Sequence, residues 1–256
     1  MFATENEFEK TLPEFFFSKE NIDLAKNEKL KVSYKNSFYN IIFPDFNSID
    51  FNFLFGLFYL LKEKRDSKIK VNFIFFTNLI NKKFYALNKK RFFKEFNNFC
   101  EKAIKVYFLK KEKNEDNFNN ISYFSLFSYI HIDEKEGCFT ISFSKYIINI
   151  LNDVNESYTF FNLKDFCNIK TKYAKLFYLL FIRFIYNSKF VISKEEFYKY
   201  CSLNNKKYLR QIDIDDKVIK PAIKELKKSQ SIFKNLSVIK IKKGNMVKAF
   251  EFIFER

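Results

Sequence analysis

A chain of 256 residues with three glycines has few places where its backbone can turn through a left-handed conformation, and this narrows its folds. Gly56 lies inside an apolar run, FNFLFGLFYLL at 51–61. The other two stand where hairpins need them. Gly137 closes EKEG between ISYFSLFSYIHID and CFTISFS, and Gly244-Asn245 separates SVIKIKK from MVKAFEFIFE. The same scarcity removes whole classes of chemistry: neither a G-x-x-x-x-G-K-[ST] phosphate loop nor a G-x-G-x-x-G turn occurs.

Ahead of the last hairpin lies QIDIDDKVIKPAIKELKK, 211–228. Ile214, Val218, Ala222 and Leu226 recur every four residues, with Ile219 and Ile223 widening the stripe, so the spacing predicts a helix with one apolar face. Asp213, Lys217, Lys220, Lys224 and Lys227 recur on another face. Asp213 can cap the start and Asp216 suits the first turn. Pro221 lacks a donor and crowds the preceding turn, so the helix is either bent there or begins after Asp213. Alone, such a segment reads as an ordinary amphipathic helix with a solvated lysine face.

The order of elements says more. In the second half Thr171 opens a helix at 172–187, apolar almost all round and so central. A short strand follows at 190–192, then Ser193 and Glu196 form a capping box for KEEFYKYCSL. The connector NNKKYLRQI leads to the lysine-faced helix and the hairpin. Helix, strand, helix, turn, helix, hairpin is a winged helix. The first half repeats it: a helix after Ser48 over 49–64, a strand at 68–76, a short helix TNLINKKF, and a longer helix at 89–104 behind Asn88 with Phe92, Phe96, Phe99 and Ala103 inward. A strand at 106–112, a long hairpin over 121–144 and a short helix at 145–151 complete it. The expected fold class is α+β, two tandem winged-helix domains. Residues 1–47 are an N-terminal extension with NIIF as its best strand, 48–156 the first domain and 157–256 the second.

Charge follows the same division. The formal net charge is +16. Residues 157–256 hold 22 Lys and Arg against 9 Asp and Glu, a net of +13, whereas 1–156 hold 24 against 21. Within the first part, 82–113 holds 11 basic and 3 acidic residues. Two basic regions, one per unit, point to nucleic acid or an anionic membrane. Phe at 38 residues with no Trp fits the codon bias of an AT-rich genome and carries no functional signal.

Other classes fall away. Apolar runs such as 51–61 and LFYLLFI are far shorter than the ~20 residues of a membrane span. Cys100, Cys138, Cys167 and Cys201 form no C-x-x-C and suit a reduced cytoplasm. His131 is the lone histidine, in what reads as a strand entering a turn, and a structural histidine is expected. Cys/His zinc fingers lack ligands, and the paired-histidine metal site of rolling-circle nucleases is missing. Carboxylates are plentiful, and DIDD at 213–216 is their densest cluster, but its position suits capping. The expectation is no enzyme, no catalytic residue and no metal.

At these residues the chain resembles the iteron-binding plasmid replication initiators of the RepA, RepE and Pi type. The likeness runs through YTFFNLKDFCNIKTKYAKLFYLL, where Tyr173, Ala174, Leu176, Phe177 and Tyr178 fill a Tyr-Ala-x-x-Leu-Tyr-like run. It continues through YLRQIDIDDKVIKPAIKEL and the closing hairpin ending in FEFIFE, and in the first half through LFSYIHIDEKEGCFTISFSKYIINIL. It covers about 48–256. KELKK at 224–228 departs from it, since many relatives carry an Asn after the Glu-Ile or Glu-Leu pair.

The resemblance implies monomers that bind direct repeats in double-stranded origin DNA and recruit a host replication initiator and replicative helicase. It implies dimers, formed through the first domain, that bind an inverted-repeat operator and repress the protein's own gene. No cofactor is implied. Asp213, Asp216, Lys217 and Lys220 are then the candidates for base edges, and Lys206, Lys207, Arg210, Lys224 and Lys227 for phosphates. Lys240, Lys242 and Lys243 on the wing would hold backbone, and Lys89, Lys90, Arg91 and Lys94 are the first-domain equivalents. A solvated charge remains the alternative for each lysine. A winged-helix transcriptional repressor, or a winged-helix module that binds an acidic protein, are the competing readings.

Overall fold

The structure, a computed structural model, describes residues 30–36, 43, 45–62, 68–113, 119–152, 158–184, 187, 189–203 and 210–254, with backbone alone at 83–84, 107–113, 119–121 and 231. Lys206, Lys207, most of the connector before Arg210 and most of NIIF lie outside the described residues.

Two helices are apolar nearly all round and take the centre. Helix α1 (Ser48–Leu61) buries Phe51, Phe53, Leu54, Phe55, Leu57, Phe58 and Leu61. Its cap is Asn47, one residue earlier than expected. The Asn47 side chain accepts from Ile49 and Asp50, while Asp50 reaches back to the Asn47 N–H at 2.7 Å.

After α1 come strand β2 (Ile69–Asn72), helix α2 (Phe73–Leu79), a 3-10 turn (Lys83–Leu87) and helix α3 (Lys89–Ala103). The expected strand at 68–76 is therefore half right. Asn72 caps a helix from Phe73 onward, and FIFF packs as a helical turn because Phe73 and Phe76 both face the core. The expected helix at 77–84 is correspondingly displaced toward the N-terminus. Helix α3 starts where expected, with Asn88 accepting from the Arg91 N–H, and buries Phe92, Phe96, Phe99 and Ala103.

The long hairpin expected over 121–144 is two separate pieces. Strand β3 (Tyr107–Lys113) pairs with β4 (Asn119–Ser125), while β5 (Phe127–Asp133) pairs with β6 (Cys138–Phe143). Leu126, buried, divides them. Helix α4 (Lys145–Asn152) follows as expected.

In the second half, β7 (Tyr158–Asn162) leads to α5 (Leu163–Asn168) and the central α6 (Lys172–Ile182), which ends earlier than expected. Thr171 caps α6 through the Ala174 N–H. Strand β8 (Lys189–Ser193), helix α7 (Lys194–Tyr200) with its Ser193–Glu196 capping box, helix α8 (from Gln211 to Ser229), β9 (Ser237–Lys243) and β10 (Met246–Ile253) follow.

The two halves share one plan. Helix, strand, helix and helix precede a hairpin, and the sheets are ordered β2-β6-β5 and β8-β10-β9, the short strand pairing with the hairpin's second strand each time. Gly137 and Gly244 sit in the two hairpin turns at φ of 71° and 59°, a region costly for side-chain-bearing residues. The β3–β4 ribbon is extra to the first unit. So is β1 (Lys31–Lys35), which pairs antiparallel with β7, Lys31 opposite Asn162. That pairing was not legible at 158–162, and β1 is a strand within 1–47 that the sequence reading did not mark.

One buried cluster spans both halves, and polar contacts cross between them. Lys175 of α6, fully buried, donates to Asn52 Oδ1 of α1 and to the Phe166 carbonyl, each at 2.6 Å, and lies 4.1 Å from the Phe166 ring. Lys82 donates to the Cys167 carbonyl at 3.1 Å, and Asn81 to Asn168 at 2.7 Å. All four cysteines are free and buried. Among the described residues no helix is long and apolar enough to cross a membrane, and no group of three or more His, Cys, Asp or Glu could hold a metal.

Candidate nucleic-acid interface

Helix α8 is continuous through three segments, α-helical at Gln211–Ile214, π at Asp215–Ile219 and α-helical at Lys220–Ser229. The wide turn resolves the Pro221 problem. It lies immediately ahead of the proline, which then falls in the first turn of the last segment, where a missing N–H costs little. It also explains the four-residue spacing. At 3.6 residues per turn that spacing drifts by about 40° per step, and a wider turn takes up the drift. Ile214, Val218, Ala222 and Leu226 are all buried. The helix neither begins late nor takes Asp213 as its cap. Arg210 occupies the cap position, and its side chain makes no capping bond to the helix N–H groups.

Asp213 instead accepts from Arg210 and Lys217, each at 3.1 Å, and these bonds, Arg210's first, hold its carboxyl below the usual range. Asp216 takes Lys220 at 2.7 Å, which raises the Lys220 ammonium. The leading end of α8 thus presents paired charges rather than bare lysines. Arg210, Asp216, Lys217 and Lys220 are exposed, and Asp213 is half-buried. Further along, Lys224 and Lys227 are exposed and carry no ion pair among the described residues.

The wing lies beside this helix. Lys242 and Lys243 project from it, exposed and unpaired among the described residues, whereas Lys240 bonds Asp215. Asp215 is 7% exposed and also accepts from Gln211 Nε2 at 3.0 Å. Between α7, the start of α8 and the wing is a cleft of about 650 Å³ lined by Lys194, Tyr198, Gln211, Lys242 and Lys248 among others. Lys194 and Lys248 were missed from sequence. They lie together because each adjoins the last pair of the β8–β10 register, Ser193 opposite Ala249.

In the first unit, Lys90, Arg91 and Lys94 are exposed at the start of α3 and Lys89 is half-buried. Arg91 bonds Glu95 at 3.0 Å, and Glu95 accepts the Tyr85 hydroxyl. Lys89 Nζ donates to the Lys135 carbonyl at 2.8 Å in the β5–β6 turn. His131 is exposed on β5.

The structure brings the predicted residues into two similar constellations, each a basic third helix beside a hairpin. Among the described residues each joins helix to hairpin by one lysine, from the helix in the first unit and from the wing in the second. Such a surface suits a duplex: a helix for the major groove and a hairpin for the flanking backbone.

Comparison with known proteins matches residues 31–182 to a family model described as Initiator Replication protein, WH1, and residues 193–254 to one described as Initiator Rep protein, WH2. A protein of Bifidobacterium longum (strain NCC 2705) named "Probable replication protein rep" is 22% identical over 196 residues, 76% of this chain. The match spans 63% of that relative's length. Among solved structures, the Pi initiator protein in complex with iteron DNA aligns over 90% of this chain and 99% of its own, at TM-score 0.65 and 15% identity. Domains 2 and 3 of RctB align over 81% of each chain, at TM-score 0.50 and 14% identity. At these identities the likeness bears on the fold.

Proposed function

The chain belongs to the initiator replication protein family, and from that premise we propose that it binds repeats in double-stranded origin DNA as a plasmid replication initiator. The observation that carries this reading is the pair of helix-and-hairpin constellations, with the greater charge on the second. Residues 157–256 would recognise the repeat, and 48–156 would contact backbone and support dimers. Binding and opening the origin need no catalytic group of this chain, and recruitment of a host initiator and helicase completes the role. Repression of its own gene by the dimer is part of the same proposal.

Affinity for a duplex should fall steeply with salt. Six to ten phosphate contacts give a log–log slope of about −5 to −9. Fluorescence anisotropy on a ~30-bp duplex from low to moderate salt measures it. Lys242→Ala should make the slope shallower on every sequence, whereas Lys217→Ala should cost about 1–3 kcal/mol on the preferred sequence only. A flat salt response, or no binding to any duplex, would favour the protein-interaction reading.

The proposed dimer contact is the outer side of β5. Phe127 turns inward and stacks on Phe143 at 5.1 Å, whereas Tyr129 is 37% exposed with Lys68 Nζ 3.6 Å from its ring. Strand β5 is an edge of its three-stranded sheet, and an edge carrying an aromatic side chain favours pairing. Tyr129→Glu should convert dimer to monomer without unfolding. It should keep affinity for one direct repeat and lose it for an inverted repeat. Sedimentation with binding to both layouts tests this, and a folded variant that stays dimeric removes β5 from the interface.

A further inference from the structure

Lys240 stands among the basic residues of the wing, yet its charge is already committed. Its ammonium bonds Asp215, a carboxylate that is 7% exposed and sits at the start of the π segment of α8. The other oxygen of Asp215 accepts from Gln211 Nε2 at 3.0 Å, one turn earlier on the helix. One buried carboxylate therefore ties the leading turn of α8 to strand β9. Gln211 Oε1 has no partner among the described residues, so the amide is held with its donor side toward Asp215.

The surrounding lysines behave differently. Lys242 and Lys243 continue the same strand, exposed and unpaired among the described residues. Lys217 and Lys220 bond carboxylates of their own helix, at exposed sites where such pairs break readily. Among the described residues, only the Lys240–Asp215 pair spans helix and wing in this unit. The first unit has a counterpart of different chemistry, Lys89 Nζ on the Lys135 carbonyl. Two units with different residues thus both stitch the third helix to its hairpin.

We propose that Asp215 and Lys240 are positioning residues that make α8 and the wing one rigid reading unit, with Lys240 serving as a tether rather than as a phosphate contact. This rests on the DNA-binding reading above. A wing held in place fixes the distance between the groove-facing helix and the backbone-gripping lysines. That favours the one DNA register in which base and phosphate contacts form together. A loose wing can grip backbone wherever it meets it. The tether therefore acts on discrimination between sequences more than on affinity for DNA in general.

The test uses the full chain and three variants: Asp215→Asn, Lys240→Gln and the double variant. The specific probe is the duplex enriched by wild type from a random 30-bp library, with a scrambled duplex as the non-specific probe. Each single variant should lose about tenfold in the ratio of specific to non-specific affinity, and the double variant should lose no more than either. Lys240→Gln should leave the salt slope unchanged. Asp215→Asn releases the Lys240 ammonium and should steepen the non-specific slope by about 0.9, the increment of one added phosphate contact. Hydrogen exchange on DNA-free protein supplies an independent readout: wing amides over 237–248 should exchange faster in all three variants.

A Lys240→Gln slope shallower by about 0.9 on both probes, with losses that add in the double variant, would make Lys240 an ordinary phosphate contact and overturn the tether. Unchanged wing exchange in Asp215→Asn would overturn it without reference to DNA. A wild type that enriches no duplex and binds none would instead remove the DNA-binding reading, and the tether's role in discrimination with it.

Discussion

Deprotonation of Lys175 should contribute roughly 2 kcal/mol to the stability of the folded chain between pH 7 and 8.5, and Lys175→Met should abolish that contribution. Burial pushes the Lys175 ammonium down from 10.5 to about 7, since its partners, Asn52 Oδ1 and the Phe166 carbonyl, carry no full charge. Above pH 7 the folded chain releases this proton while the unfolded chain keeps it to about 10.5. The unfolded state then binds one proton more, so stability climbs by about 1.4 kcal/mol per unit. Below pH 7 the penalty is complete. The climb is cut short by the thiols. Burial raises Cys100 to about 12 and Cys167 to about 11, and lifts Cys138 and Cys201 as well. The unfolded chain loses those protons first, from about pH 8.5, and stability falls again. With four thiols against one lysine, a shallow maximum near pH 8 is expected. Urea midpoints across pH 6–10 measure it. Lys175→Met leaves two acceptors without their donor, at about 1–3 kcal/mol per acceptor, and also removes the burial penalty of the ammonium, while its pH profile keeps the fall and loses the rise. An unchanged rise in the variant would show that another group causes it.

The second large effect lies in the aromatic core. Phe53 is fully buried on α1, its ring within 5.4–6.4 Å of Phe76, Tyr85, Phe92, Phe96 and Phe99. Phe53→Ala removes a ring whose neighbours come from α2, the 3-10 turn and α3, and these cannot all close the gap. A loss of about 3–5 kcal/mol is expected, against less than about 0.5 for Ile74→Ala on the exposed side of α2. Chemical denaturation of both variants compares them. Since domains of this kind are stable by only about 5–15 kcal/mol, Phe53→Ala should also shift the thermal midpoint markedly. Equal losses in the two variants would mean that the ring cluster is not what holds the first unit together.

Legibility from sequence followed the range of the interactions. Elements fixed by local signals appeared where expected: α3 behind Asn88, α7 behind Ser193 and Glu196, and hairpin turns at Gly137 and Gly244. Local alternation misled at FIFF, where the Asn72 cap outweighs a short period-two pattern. It misled again across 121–133, because an apolar run cannot say which neighbour each of its parts will pair with. The β1–β7 pairing joins segments too distant for any window to connect. On the binding face, residue type and spacing marked the lysines of α8 and the wing. They did not mark their partners, because Asp215 and Lys240 are 25 residues apart and meet only once the wing packs beside α8. Lys175 looked like one more lysine, and only the packing of α6 against α1 makes it a buried cation.

The β1–β7 ribbon sets a timetable for synthesis. Lys31 must wait for Asn162, and ribosomes add about 5–20 residues per second, so strand β1 leaves the ribosome roughly 7–26 s before its partner does. During that interval Val32 and Tyr34, both buried in the finished protein, have no strand to lie against on that edge. The helices of the first unit can assemble meanwhile, since α1, α2 and α3 all precede β7. Closure of the first unit therefore coincides with emergence of the segment that leads into the second. A nascent chain halted before residue 158 holds an incomplete first unit with an unpaired strand, the species that chaperones engage and that a ribosome-stalled fragment would expose.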